Sequence, residues 1–386
     1  MNTKIAISAL SSLSALGSDP KTIWKNYNSD MHFLSPGIYG DYQAITGALK
    51  VTDIDKIKAL REEDPKYKPL DNSVLYAMLV ARDALKASRW QKGDLFGVNI
   101  GSSRGATSLF EKYYGDFLKD GNSSTLASPT TTLGNISSWI AHDLQTKGPE
   151  ISHSITCSTA LHAVVNGVAW IKSGMCDKFM VGGSEAALTP FTIAQIKALK
   201  IYAESNDNYP CKALDLDKKR NTMVLGEGAA VICMEENPKV TPLAYIKGIG
   251  YATELLKHNI SISEEADCFQ DSMRMALKDV DRSEVDVIVM HAPGTIKGDL
   301  TELRAIKKVF KEKVPALTTN KWKIGHTFGA SGVLSLELAI LMLHHQQFIK
   351  VPYITYDTTP KNIKNVLINA VGFGGNAVSI LVGLEV

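Results

Sequence analysis

The chain has 386 residues, 45% of them hydrophobic, which is enough for one large core or two fused domains and carries no compositional mark of disorder. Its 42 basic and 40 acidic side chains nearly cancel, so no whole-molecule field draws it to nucleic acid or to an anionic membrane. No uninterrupted run of about 18 apolar residues argues for a membrane span, and the five scattered cysteines (157, 176, 211, 233 and 268), without CxxC spacing, fit a reducing, cytoplasmic setting better than a disulfide framework.

At the N-terminus a lysine precedes an apolar run, as in a signal peptide, but serines break that run and TKIAISAL reads as a buried first strand. Strand-length apolar runs then alternate with helix-period segments. DLFGVNIGSS leads to a helical stretch ending near Phe117, GPEISHSIT to CSTALHAVVNGVAWIKSG, and DKFMVGGSEAAL to a helix over 191 to 202. Such alternation predicts crossover units and a mainly parallel sheet covered by helices. The order restarts after Pro242 with the strand VTPLAYIKGIGYA, the amphipathic helix EEADCFQDSMRMALKDV, the strand EVDVIVMHAPGT, and a turn feeding the long buried helix in KWKIGHTFGASGVLSLELAILMLHHQQ. NVLINAVGFGGNAVSILVGLEV closes the chain as a hairpin. Two halves of similar element order imply a structural duplication, divided at the charged, proline-bearing MEENPKVTP into residues 1–238 and 239–386. The polar stretches 50 to 69 and 203 to 224 are assigned to the surface.

Cys157 stands where a strand-length run passes into an alanine-rich helix. A thiol at a helix N-terminus is favoured as the thiolate, and a sharp strand-to-helix turn exposes a nucleophile. An isolated cysteine is more often a small buried residue, and the other four are read that way. His291 opens a turn after VDVIVM, at the sheet edge where α/β folds place their sites, and His326 lies between Gly325 and a small-residue helix start. Either histidine alone is more often structural. Together with a helix-start cysteine, two glycine-flanked histidine turns form a candidate constellation. His162 is assigned to packing, His153 to the interior, and His344 and His345 to the surface or an interface; no histidine or cysteine pair has zinc spacing. GFGGN at 372 to 376 lacks the Lys-Ser/Thr of a phosphate loop and reads as a flexible backbone segment with N–H donors and one movable aromatic.

TCSTALHA, GGSEAALTPF, DLDKKRNTMVLGEGAAVICME, HAPGTIKGD and NKWKIGHTFGASG, in this order, resemble the elongating β-ketoacyl-acyl-carrier-protein synthases of the thiolase superfamily over essentially the whole chain. The resemblance implies an α/β thiolase-like fold, two duplicated halves whose mixed sheets sandwich buried helices in αβαβα layers. It implies that Cys157 is the acylated nucleophile, that His291 and His326 serve the malonyl half-reaction, and that Lys321 orders the site. Phe373 matches a gating phenylalanine whose N–H joins that of Cys157 in an oxyanion hole, with Gly374 in the same loop; Thr295 matches a pantetheine-binding threonine, and Ile196 a pocket-lining phenylalanine. No resident cofactor or metal is implied, because phosphopantetheine arrives on the acyl carrier protein, for which Lys66, Lys68, Lys197 and Lys200 are candidate docking residues. A homodimer, or a heterodimer with a related subunit, is also implied.

Three departures mark a divergent member: Pro293 stands at the second pantetheine threonine, Ser335 at the glutamate facing the lysine while Glu337 points elsewhere on the helix, and Val371 at an aromatic of the last loop, which also lacks its threonine. A non-catalytic chain-length partner of the same fold is the main rival reading, but such partners typically lack the cysteine. A thiolase needs a second cysteine beyond 268, and an initiating synthase an asparagine at 326.

Overall fold

The computed structural model describes residues 4–133, 135–204, 207–255, 262–311 and 313–384. The first half contains strands β1 (Ile5–Leu13), β2 (Ser35–Tyr39), β3 (Tyr42–Gly47), β4 (Gly97–Gly101), β5 (Glu150–Ile151), β6 (Lys178–Glu185), β7 (Leu225–Gly226) and β8 (Gly228–Glu235). Among them run helices α1 (Pro20–Tyr27), α2 (Val51–Glu63), α3 (Asn72–Ser88), α4 (Thr107–Asp120), α5 (Ala127–Thr131), α6 (Asn135–Leu144), α7 (Thr159–Lys172) and α8 (Pro190–Ala198). The second half contains β9 (Ala244–Thr253), α9 (Asp267–Ala276), β10 (Val287–Val289), α10 (Ile296–Phe310), β11 (Ala316–Thr318), α11 (Lys321–Ile324), α12 (Ser331–His345), β12 (Asn365–Gly372) and β13 (Asn376–Gly383).

Strand order demonstrates the duplication that no residue-level repeat reveals. The main sheet runs β11-β10-β12-β13-β9-β1-β8-β6-β4-β5. From the centre outward each half repeats one pattern, two antiparallel pairings (β1-β8-β6 and β9-β13-β12) followed by two parallel ones (β6-β4-β5 and β12-β10-β11). The half-sheets meet through β1 and β9, where Ile5, Ala6 and Ile7 pair with Ile246, Tyr245 and Ala244. The long helix after the outermost strand of each half, α7 and α12, packs against its counterpart. Apolar side chains from both helices enter one cluster with the inward faces of β1, β6, β8, β12 and β13. The apolar character of α12 is therefore that of a core helix, hydrophobic all round because both its faces are covered.

Several local expectations change. The segment 203–224 enters the interior: Cys211, Ala213, Leu214, Met223 and Val224 are buried, and Lys218 is buried with them because its Nζ pairs with Asp299 at 2.7 Å. Pairing is what permits a charge there. The stretch 50–69 holds α2, whose Ile57 and Leu60 pack inward. GPEISHSIT yields only the two strand residues of β5, since the chain leaves the sheet at Ser152. His153 is half-buried, with its Nδ1 beside Asn99 Nδ2 at 3.0 Å and its Nε2 beside the Thr159 carbonyl at 3.1 Å. The helix expected over 191–202 ends at Ala198, and Lys200 turns left-handed at φ 56°. Helix α3, with Asp71 as its N-cap and eleven buried residues, has no counterpart in the sequence reading.

Candidate active site

Cys157 occupies the centre of a single 3-10 turn, Thr156–Ser158, that leads directly into α7. Thr156 takes the left-handed φ of 47°, which bends the chain sharply enough to place the next residue at the mouth of the turn. Strand β12 of the other half covers this turn closely: a Cβ on Gly372 would stand 1.8 Å from Thr156 Oγ1 and 3.2 Å from the Cys157 nitrogen. Only glycine allows that approach.

His291 follows β10, and its main-chain N–H donates to Glu302 Oε1 at 2.9 Å, as does that of Ala292 to Oε2 at 2.9 Å. This carboxylate holds Ala292 at φ 28°, where an L-residue is strained. His326 follows α11, and the two imidazoles lie edge to face, 5.1 Å between centroids at 81°. Burial drives both histidines below their ordinary range, with Lys321 adding repulsion; His326 falls to about 3. Both are neutral at physiological pH. The Phe328 N–H donates to His326 Nδ1 at 3.0 Å, which assigns the proton of the neutral ring to Nε2 and makes that nitrogen a hydrogen-bond donor.

Cys157, His291 and His326 line one cavity of about 260 Å³, with Thr295 and Phe373 among its other walls. A larger surface depression of about 850 Å³, bordered by residues 214–217 and 353–360, contains none of these groups. The expectation of a resting thiolate is corrected. Burial pushes the Cys157 thiol up to about 12; Glu185 adds to the rise, and Arg104 and Lys321 oppose it. The desolvation of a buried anion outweighs the favourable end of α7. Glu185, itself raised to about 7 by burial, accepts from the main-chain N–H groups of Ser103 and of Gly329, the latter at 3.0 Å.

Lys321 is buried beside the histidines, and its Nζ donates to Asn320 Oδ1 at 3.0 Å and to Ser335 Oγ at 3.2 Å. Burial lowers it to about 8, and Glu302 is the strongest of the anions that resist this. Glu337 does face elsewhere, accepting from Ser12 Oγ.

The remaining candidates divide. Thr295 caps α10 by accepting from the Gly298 N–H at 3.1 Å, which leaves its hydroxyl proton to donate into the cavity. Phe373 is 41% exposed at the cavity's edge, with Thr156 Oγ1 donating to its carbonyl at 3.3 Å. Gly374 does not line the cavity; its φ of 96° serves the β12–β13 turn. Ile196 is likewise outside the cavity walls, though it shares an apolar cluster with Cys157, Ile193 and Phe328. Asn221, Met223, Ile201, Ile262 and Phe269 line the cavity and escaped the sequence reading. Asn221 and Met223 belong to the segment assigned to the surface, and no motif marks the others.

Comparison with known proteins agrees with this geometry. The β-ketoacyl synthase N-terminal domain model matches residues 2–239, and the β-ketoacyl synthase C-terminal domain model matches residues 243–354. A relative named 3-oxoacyl-[acyl-carrier-protein] synthase 2, from Coxiella burnetii, is 27% identical over 96% of each chain. Among solved structures, the ishigamide ketosynthase/chain length factor superposes with a TM-score of 0.87 at 20% identity, covering 100% of both chains. A type II polyketide ketosynthase complex with its acyl carrier protein gives 0.84 at 19% identity, covering 99% of both.

Proposed function

The chain belongs to the β-ketoacyl synthase family, and from that premise we propose that it is an active elongating synthase joining an acyl thioester to malonyl carrier protein with loss of carbon dioxide. The observation that carries the reading is the convergence of Cys157 with two neutral histidines, one of them a fixed donor, on one cavity. A non-catalytic partner subunit has no use for that arrangement.

In the first half-reaction the Cys157 sulfur attacks the acyl carbonyl, its proton passes to the departing thiol of the carrier, and the acyl group remains as a cysteine thioester. The tetrahedral oxyanion is met in this reading by the backbone N–H groups of Cys157 and of the 372–376 loop, a reading supported by the close approach of Gly372 to the Cys157 turn. In the second, the malonyl thioester loses carbon dioxide while its carbonyl oxygen accumulates enolate charge. Imidazole N–H donors at His326 and His291 stabilise that charge; a neutral donor does so without protonating the nucleophilic carbon. The carbanion attacks the acyl-cysteine, and the thiolate released is reprotonated. Lys321 holds a positive field over both histidines and the thiol.

The substrate arm enters past Phe373, where Thr295 is available to donate to a pantetheine amide and Pro293 is not. Lys66, Lys68, Lys197 and Lys200 remain the docking candidates for an acidic carrier; Lys68 already pairs with Glu62 and Lys197 Nζ donates to the Gln43 carbonyl at 2.8 Å, so Lys66 and Lys200 are the more available pair. The test is intact-protein mass spectrometry after incubation with an acyl thioester. One acyl adduct on Cys157, absent in Cys157→Ala, is expected; a protein that accepts no acyl group, or is labelled equally on other cysteines, would not be this enzyme.

A further inference from the structure

Arg104 is a cation close to the nucleophile that the condensation just described does not use. It lies between β4 and α4, half-buried, with its guanidinium 5.0 Å from the centre of the Phe328 ring. Among the described residues its side chain makes one hydrogen bond, from Nη1 to Gln195 Oε1 at 2.5 Å. A guanidinium carries five donors, so the Nε and Nη2 edge remains available.

That side chain lines a second cavity, of about 280 Å³, together with Thr107, Glu111, Thr131, Thr192 and Gln195. The chamber is more polar than the one holding Cys157. The hydroxyls of Thr107 and Thr131 donate to main-chain carbonyls, and Thr189 donates to Glu111, so these groups are already engaged and Arg104 is the only cation among the walls.

The two chambers are neighbours. The Phe328 ring lies between a wall residue of each, its centroid 5.6 Å from that of His326 and 5.0 Å from the Arg104 guanidinium carbon. Helix α8 also serves both, turning Thr192 and Gln195 to the polar chamber and Ile193 and Ile196 into the apolar cluster around Cys157. The charge of Arg104 reaches the thiol itself, opposing the rise of its pKa. Phe328 holds a left-handed φ of 41°, its main chain fixed by the bonds of its own N–H to His326 and of the Gly329 N–H to Glu185, so what can turn between the chambers is the ring and not the backbone.

We propose that the chamber beside Arg104 receives the distal end of the acyl group carried on Cys157, with the Phe328 ring giving way, and that Arg104 selects acyl groups bearing an oxygen acceptor at that end. This rests on the reading of Cys157 as the acylated residue. The discrimination works mainly by exclusion. A plain alkyl end pushed into the chamber strips water from the guanidinium and returns no acceptor, whereas a hydroxyl or carboxylate restores the bond; sites built to hydrogen-bond a group reject the analogue lacking it far more strongly than apolar pockets reject an extra methylene. Glu111 stands in the same chamber, so a hydroxyl and a carboxylate end are separate arms of the test.

The probes are octanoyl, 8-hydroxyoctanoyl and 7-carboxyheptanoyl N-acetylcysteamine thioesters, and the readout is the rate at which each forms an adduct on Cys157 in the full chain. At least one oxygenated acyl group is expected to label about tenfold faster or more than octanoyl. In Arg104→Met that ratio is expected to fall to about threefold or less, and in Arg104→Lys, which keeps a cation, to an intermediate value. Octanoyl labelling as fast as both oxygenated probes in the unaltered protein overturns the inference, whether or not the variants fold. So does a ratio that survives in an Arg104→Met protein whose melting temperature is unchanged. Labelling of Cys157 by none of the three overturns the parent reading as well, which sets that failure apart from a failure of selectivity.

Discussion

Thr156 and Phe328 occupy equivalent places in the two halves. Each comes after the outermost strand of its half, takes a left-handed φ (47° and 41°), and opens a 3-10 turn that runs straight into a buried helix, α7 or α12. Each turn is capped by a glycine on the equivalent strand of the opposite half: Gly372 of β12 lies on Thr156 and the Cys157 nitrogen, while a Cβ on Gly183 of β6 would stand 2.5 Å from the Gly329 carbonyl oxygen. The residue after Thr156 is Cys157; the residue after Phe328 is Gly329. One turn presents a thiol, and its duplicate supplies an N–H to Glu185 and a ring that partitions two chambers. The two turns share a backbone geometry and differ in the residue that each presents.

The comparison breaks most decisively at the thiol. Cys157→Ala is expected to lower condensation by more than about a thousandfold, as removal of a nucleophile typically does, and to abolish the acyl adduct. Placing the thiol on the other turn, in Gly329→Cys over Cys157→Ala, should restore nothing, because Gly329 is packed against Ser103 and Glu185 rather than opening on the cavity. Recovery of an adduct at 329 would show the two turns to be functionally interchangeable.

The histidines belong to the second half alone. His326→Ala and His291→Ala are each expected to slow decarboxylation of malonyl carrier protein about a hundredfold, the usual effect of losing one donor at a developing oxyanion, while Cys157 still acylates. Because burial holds His326 at about 3, the decarboxylation rate should show no imidazole titration between pH 5 and 8. A fall with a midpoint near 6.5 would mean that the rings protonate and that the neutral-donor account is wrong.

Glu337, on α12, sharpens the difference between the helices, for α7 has no acidic residue. Burial raises Glu337 from 4.5 to about 7, so the folded state binds its proton more tightly than the unfolded chain does. The stability gained in this way is complete below pH 4.5 and is lost as pH rises through 7. Glu337→Gln cannot ionise and keeps an acceptor for Ser12. At pH 8 it should be more stable than the parent by up to about 3 kcal/mol, a gap that closes below pH 4.5 in denaturant titrations. A gap independent of pH would place the effect in packing.

The two glycine caps give the smallest effects. Gly372→Ala forces a methyl onto the Thr156 hydroxyl and the Ile155 carbonyl, and Gly183→Ala onto the Gly329 carbonyl; each should cost about 1–3 kcal/mol, measured by thermal unfolding. Only Gly372→Ala should also slow acylation of Cys157, since it alone shifts the nucleophile's turn. Equal slowing by both would mean that the turns are mechanically coupled.

Much of this was legible in the chain. Alternating apolar runs announced the crossover units, and three short motifs announced Cys157, His291 and His326, because glycine-flanked polar residues at strand ends are local signals. Burial by pairing is not local. The segment 203–224 looks like surface because its lysines and aspartates are adjacent in sequence, yet Lys218 finds Asp299 from α10 and goes inside, carrying Asn221 and Met223 to the cavity wall. Helix α3 was missed for a different reason: it does carry a polar stripe with Arg82, Asp83 and Lys86, but residues 74–81 are apolar at every position and mask that period in the sequence.

The sequence by itself determined most of the alternation of strands and helices, its repeated order and the three side chains that the fold brings to one cavity, all of which depend on residue type and spacing. Tertiary structure alone decided that Cys157 rests as a thiol, that His326 is a donor, that Ser335 and Asn320 rather than a carboxylate hold Lys321, and that Arg104 stands one phenyl ring from the site. Protonation follows from desolvation and from neighbours distant in the chain, and those come into being only when the two halves close on each other.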